Sequence, residues 1–189
     1  MSSLTHYIEL KLIPQAELIQ SQVMSFVMQG IHYVLPSYEG RVGISFPNYF
    51  QSSTLGGVIR LFGSEDDCRR LLQDLHRAEL ENYVLISSIE KTPDDIIQYA
   101  CFNREQTKGE SSIRRSKKRL EQQGKWSDEV ESKMRLKWLE SLSLPHVHLK
   151  SASTKQRFIL FIKQKKTIKL KEGSFNAYGL SAEATVPLF

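Results

Sequence analysis

Two cysteines, Cys68 and Cys101, are all that this 189-residue chain carries, and they are not spaced as metal ligands. That scarcity argues against a disulfide framework or a cysteine-based zinc module and is read as thiols kept reduced in a cytoplasmic protein. Long apolar runs are missing as well. The longest are short, as in Phe158–Ile162, far below the roughly 20 residues that span a bilayer, so no membrane partner is expected. The opening Met1-Ser2-Ser3-Leu4-Thr5-His6 lacks the basic region and apolar stretch of a secretory signal. There is no Gly-x-x-x-x-Gly-Lys phosphate loop and no His-Glu-x-x-His helix, so no metal or other cofactor is expected. Any hydrolytic chemistry then falls to side chains.

Acidic residues are what the second half lacks. Residues 1–100 hold 7 Lys and Arg against 12 Asp and Glu, a net of −5, whereas residues 101–189 hold 19 against 9, a net of +10. The overall +5 hides this split. A basic half joined to an acidic one marks either a polyanion-binding face or a merely solvated surface. The 40% hydrophobic and 25% charged content is that of an ordinary globular protein, long enough for two small domains or one large one.

Periodicity supplies the architecture. Ile8, Leu10 and Leu12 alternate with Glu9 and Lys11 over residues 6–13, a half-buried strand that Pro14 stops. From Gln15 to Val34 the period lengthens, with Ile19, Val23, Phe26/Val27 and Ile31 on one side of an amphipathic helix. Strands are expected at 42–46 and 58–62, separated by the polar stretch 51–54 and Gly56-Gly57. Ser64 followed by Asp67 reads as a capping box whose carboxylate satisfies free amides, opening a helix that buries Leu71, Leu72 and Leu75. A fourth strand follows at 84–89. The order β-α-β-β-α-β in about 90 residues predicts an α+β fold whose first part, residues 1–95, is ferredoxin-like, a four-stranded antiparallel sheet with both helices on one face. That fold by itself assigns no function.

After Thr92-Pro93 the composition changes, and residues 96–189 are expected to form a second part. Its basic stretch, 108–125, begins at Lys108 and contains a helix over about 111–123 starting near Ser112. Arg115, Lys118 and Arg119 fall at i, i+3 and i+4 of that helix, three cations on one stripe. Like charges this close repel, so a helix that keeps them usually faces an anion, and arginine there chelates phosphate or a guanine edge. Ser127 opens another helix with Val130, Met134, Trp138 and Leu142 as its apolar face. Strands are expected at 147–149, 157–162 and 167–170.

The remaining polar candidates are ordinary residues when each is taken alone. Arg104 and Gln106 could reach base edges from an extended linker or form a polar loop. A histidine late in a helix, as His32 is, beside apolar Ile31, is more often structural than catalytic. Ser151, Ser153 and Thr154 make a hydroxyl-rich turn. Tyr178 reads as a buried strand tyrosine. RNA chemistry would nevertheless need little more than these. The 2′-hydroxyl is its own nucleophile, and one histidine with one or two hydroxyls suffices to deprotonate and align it.

Several sequence blocks, together and in order, resemble one family. They are Val42-Gly43-Ile44-Ser45-Phe46-Pro47, the run from Leu149 to Ile162, Tyr178-Gly179-Leu180-Ser181, and Val186-Pro187-Leu188-Phe189. The chain resembles, from its first strand to its last residue, the CRISPR-associated endoribonucleases of type I-F (Csy) systems. The resemblance implies a ferredoxin-like domain followed by a part with an arginine-rich helix. It also implies metal-independent cleavage of the repeat hairpin of precursor CRISPR RNA, leaving a 2′,3′-cyclic phosphate, and retention of the product within a crRNA-guided complex of several subunits. By position it implies His32 as catalytic histidine, Ser151 and Ser153 as active-site hydroxyls, and Tyr178 as active-site tyrosine. Phe158 would stack under the last base pair and Arg104 and Gln106 would read the foot of the stem. Lys108, Thr154 and the helix residues Arg115, Lys118 and Arg119, with Arg114 as the alternative register, complete the RNA contacts. Lys117 and Lys118 stand where the family carries denser arginine, which shifts contacts toward phosphate and away from bases.

Overall fold

The computed structural model describes residues 4–50, 54–106, 109–151 and 154–189. Strand β1 (His6–Leu12) buries Ile8, Leu10 and Leu12, as the alternation requires. Helix α1 (Gln20–Val34) begins five residues later than its periodicity predicts. No side-chain cap precedes it, and the first workable start is Ile19, whose amide donates to Gln22 Oε1 at 3.1 Å. Strands β2 (Gly43–Ser45) and β3 (Val58–Gly63), helix α2 (Glu65–Arg77) and strand β4 (Val84–Ile86) complete the first unit. The sheet order is β2-β3-β1-β4, antiparallel throughout, which is the ferredoxin-like arrangement.

Two local expectations change in this unit. At the start of α2, Ser64 Oγ accepts from the Asp67 amide at 3.1 Å as a helix cap should. The Asp67 carboxylate, however, takes the Ser64 hydroxyl at 2.8 Å and Arg41 Nε at 3.2 Å instead of backbone amides. The expected strand at 84–89 is shortened to β4, held to β1 as far as the bond from the Ser87 amide to the Glu9 carbonyl, and ladder pairing with β1 resumes beyond it as β5 (Glu90–Lys91). The Ser87 hydroxyl in turn accepts from the Glu9 amide.

The second sheet contains β6 (Tyr99–Glu105), β7 (His146–Lys150), β8 (Arg157–Thr167) and β9 (Val186–Pro187), in the order β7-β8-β6-β9. Here the structure corrects the strand prediction. Residues 157–167 are one strand, held in register against β6 from Glu105↔Phe161 to Tyr99↔Thr167, and residues 168–170 lie outside it. The lysines at 163, 165 and 166 end the apolar run but not the hydrogen-bond ladder. Between β6 and β7 lie helices α3 (Glu110–Gln122) and α4 (Asp128–Leu142). Helix α3 starts at Glu110, with Gly109 at its N-cap, earlier than the expected Ser112. Ser127 caps α4 as expected, accepting from Val130 N at 3.3 Å. Of the apolar face predicted for α4, Val130, Met134 and Trp138 are half-buried and Leu142 is 44% exposed, while Leu136 and Leu139, off that stripe, are more exposed still.

One apolar cluster runs through both sheets, from Ile8 and Leu10 to Leu160, Ile162 and Val186. The sheets meet where β2 lies beside β9. A Cβ on Gly43 would come within 2.6 Å of Phe175 and 2.7 Å of Val186, so only glycine fits that approach. No helix among the described residues is long and apolar enough to cross a membrane.

Candidate functional site

His32 lies in the last turn of α1, half-buried. Its Nδ1 is 2.9 Å from the carbonyl of Ala177. A carbonyl can only accept, so the bond places a hydrogen on Nδ1 and leaves Nε2 of the neutral ring as an acceptor. The imidazole stacks on Tyr178 with centroids 4.1 Å apart and planes 16° from parallel. Tyr178 is presented by a tight turn and not by a strand. Asn176 Oδ1 accepts from the amides of Tyr178 (2.9 Å) and Leu180 (3.2 Å), and Gly179 takes a left-handed φ of 72°. The carbonyl of Gly179 accepts from Ile44 N at 2.9 Å, which fixes the turn to β2.

From Tyr178 the array continues edge-to-face onto Phe158 (6.4 Å, 72°), over whose ring the Arg104 guanidinium sits at 5.6 Å. Helix, turn, β8 and β6 each supply one member. The sequence spacing is wide: His32 and Ala177 are 145 positions apart.

Ser151 follows the last residue of β7. Its Oγ accepts from Thr154 N at 3.2 Å, its amide donates to Gln156 O at 2.9 Å and its carbonyl accepts from Lys155 N at 3.0 Å, closing the turn before β8. The outer edge of β7 faces α1, and the helix's side chains take the place of a neighbouring strand. Ser25 Oγ accepts from His148 N at 3.1 Å and Gln29 Oε1 from Lys150 N at 2.6 Å. Four helical residues rise about 6 Å and two strand residues about 6.6 Å, so helix and strand keep step. Ser25 and Gln29 had drawn no notice in the sequence. Their only signal is a polar i, i+4 pair bordering the apolar stripe of α1. Among the described residues, the buried amide nitrogen of Gln29 has no hydrogen-bond partner.

The other predicted residues divide into three groups. Gln106 and Thr154 are exposed, beside Arg104 and Ser151 respectively. Arg114, Arg115, Lys118 and Arg119 are exposed on α3, and Arg115 Nε donates to the Ser111 carbonyl at 3.3 Å. Lys117 faces the other way, 3.5 Å from Glu131 of α4 and over the Trp126 ring. Exposure alone therefore leaves both Arg114 and Arg115 available. Ser153 and Lys108 lie outside the described residues. Burial pushes the Cys68 thiol up to about 11 and also raises Cys101, which disfavours the thiolate form of both. Among the described residues no three His, Cys, Asp or Glu side chains gather as a metal cluster would.

The fold and this array define a ferredoxin-like α+β protein whose second part closes an imidazole–aromatic–guanidinium constellation against the first. Residues 7–189 match the family described as CRISPR-associated protein (Cas_Csy4), and the chain belongs to that family. It is 34% identical over 189 residues to the CRISPR-associated endonuclease Cas6/Csy4 of Pseudomonas aeruginosa (strain UCBPP-PA14), covering 97% of this chain and 99% of the relative. It is 31% identical over 188 residues, with the same coverage, to the CRISPR-associated endonuclease Cas6/Csy4 of Escherichia coli (strain UTI89 / UPEC).

Proposed function

We propose that this protein is a CRISPR RNA-processing endoribonuclease that cuts the repeat hairpin without a metal ion, leaving a 2′,3′-cyclic phosphate and a 5′-hydroxyl. The observation that carries the reading is His32, with Nδ1 bound to a carbonyl, its ring stacked on Tyr178 and Nε2 left as acceptor. His32 Nε2 takes the proton of the 2′-hydroxyl, Ser151 and Ser153 hold that hydroxyl, and Tyr178 keeps the imidazole in plane. The deprotonated oxygen attacks the adjacent phosphorus as the bond from phosphorus to the 5′-oxygen of the next nucleotide breaks; that oxygen takes a proton from water, and His32 returns its proton to solvent. Phe158 receives the lowest base pair of the stem. Arg104 and Gln106 read its edge, with Lys108 and Thr154 on the flanking backbone. The exposed cations of α3, Arg114 or Arg115 with Lys118 and Arg119, lie along the stem. In this reading the chain divides near residue 95 into a ferredoxin-like part and an RNA-binding part, and the cut hairpin stays bound as the protein takes its place beside other subunits of a crRNA-guided complex.

The test is cleavage of a labelled repeat hairpin by wild type and His32→Ala, each with and without EDTA. Wild type is expected to cut in EDTA. His32→Ala is expected to lose about 10²–10⁴-fold in rate while binding the hairpin as before. Cutting that needs a divalent ion, or a His32→Ala variant as fast as wild type, overturns the mechanism. Tight binding by wild type without any cutting marks a non-catalytic hairpin-binding module.

A further inference from the structure

The hairpin reading uses the cations of α3 and leaves a second basic region unused. Between residues 150 and 171 the chain carries Lys150, Lys155, Arg157, Lys163, Lys165, Lys166, Lys169 and Lys171 and no acidic residue. Among the described residues, the ion pairs of the second half involve only Lys117, Lys133 and Arg135. None of these eight cations has a carboxylate within 4.0 Å among the described residues.

Strand geometry sorts them. Val147, Leu149, Leu160 and Ile162 are buried in the core, so the alternate residues of β7 and β8 stand on the opposite face of the sheet. The register sets Lys150 against Arg157, His148 against Ile159 and His146 against Phe161. Further along β8 the same face bears Lys163 and Lys165. Arg157 to Lys165 is eight residues, about 26 Å of strand. Beside the cations lie flat and apolar surfaces, the exposed His146 and His148 rings 5.5 Å apart and Ile159 44% exposed, with His146 packed on the buried Phe161 beneath. This is the composition of a single-strand platform, in which cations follow the phosphates and rings receive unstacked bases. The face begins at Lys150, next to Ser151, where the RNA strand would pass the candidate site.

We propose that the outer face of β7 and β8 is a second RNA-binding surface, which holds the single-stranded RNA leaving the foot of the hairpin. The proposal rests on the hairpin reading above and extends it from the stem to its flank. Recognition there is of backbone charge and base faces, so it does not depend on the base sequence of the flank.

The experiment measures equilibrium binding to three RNAs made uncleavable by a 2′-deoxy nucleotide at the cut: the hairpin alone, and the hairpin with a single-stranded extension on the 5′ or on the 3′ side. Wild type is expected to bind one extended RNA more tightly than the bare hairpin, and the side that gains identifies the strand held. The triple variant Arg157→Glu, Lys163→Glu, Lys165→Glu is expected to weaken that extended RNA about tenfold and leave the bare hairpin within about twofold. A triple of equal charge change on the first unit, Lys11→Glu, Arg69→Glu, Arg77→Glu, all exposed on β1 and α2, is expected to leave both within about twofold. No gain from either extension in wild type, equal loss on the bare hairpin, or equal loss in the second triple overturns the proposal. Failure of wild type to bind the bare hairpin instead overturns the hairpin reading itself.

Discussion

The two halves of this protein treat their positive charges differently. In residues 1–100 every Lys and Arg except Lys11 lies within 4.0 Å of a carboxylate: Arg41 with Asp67 and Glu39, Arg60 with Glu9, Arg69 with Glu65, Arg70 and Arg77 with Asp74, and Lys91 with Asp94. In residues 101–189 only Lys117, Lys133 and Arg135 are so paired among the described residues, all of them with α4. Most of these pairs are exposed and worth little to stability. Their consequence is electrostatic. The first half cancels its cations locally and leaves an acidic excess, while the second projects a positive field from α3 and from the outer face of β7 and β8. A field kept in this way steers a polyanion to one side of the molecule.

The contrast can be broken in order of expected effect. Replacing Arg115, Lys118 and Arg119 with Ala should weaken hairpin binding and lower the log–log salt slope by roughly 2 to 3, one counterion release per lost phosphate contact. Titrations at several salt concentrations measure this, and an unchanged slope takes α3 off the RNA. Gln29→Ala removes the acceptor of the Lys150 amide beside Ser151. It is expected to slow single-turnover cleavage about tenfold, leaving hairpin affinity within about twofold, with Gln29→Glu, which keeps an acceptor oxygen, restoring most of the rate. A parallel loss of affinity and melting temperature, without rescue, would make Gln29 a folding residue only. Arg60→Ala tests the neutralised half. Arg60 pairs with Glu9 at 2.7 Å, lies over the Tyr7 and Phe189 rings and donates to the Phe189 carbonyl. Its loss should cost about 1–2 kcal/mol in denaturant unfolding with no change in RNA affinity. A clear fall in affinity would extend the RNA surface into the first half.

Much of the first half was legible before any coordinates. The period of two around Ile8 and the period of 3.6 through Ile31 follow from which face each element buries, and the order of elements leads to the observed sheet. Legibility faded where neighbours, not local pattern, decide. The lysines of β8 ended the apolar alternation, yet the strand continues because β6 pairs with it up to Thr167. Helix α4 half-buries Val130, Met134 and Trp138 as its period predicts, yet also carries Leu136 and Leu139, exposed outside that stripe. Tyr178 looked like a strand residue and sits in a turn, because Asn176 and the left-handed Gly179 bend the chain there.

By itself the sequence determined the ferredoxin-like order of elements, the basic second half and, through resemblance, the family. These depend on periodicity, on charge and on blocks read along the chain, all of which are local in one dimension. Only the tertiary structure decided that His32 shares a carbonyl and a stacked ring with a turn 145 positions away. It also decided that Ser25 and Gln29 hold the edge of β7, and which cations remain unpaired. These are contacts between distant segments. They arise because one core closes over both sheets, and no residue's immediate neighbours encode them.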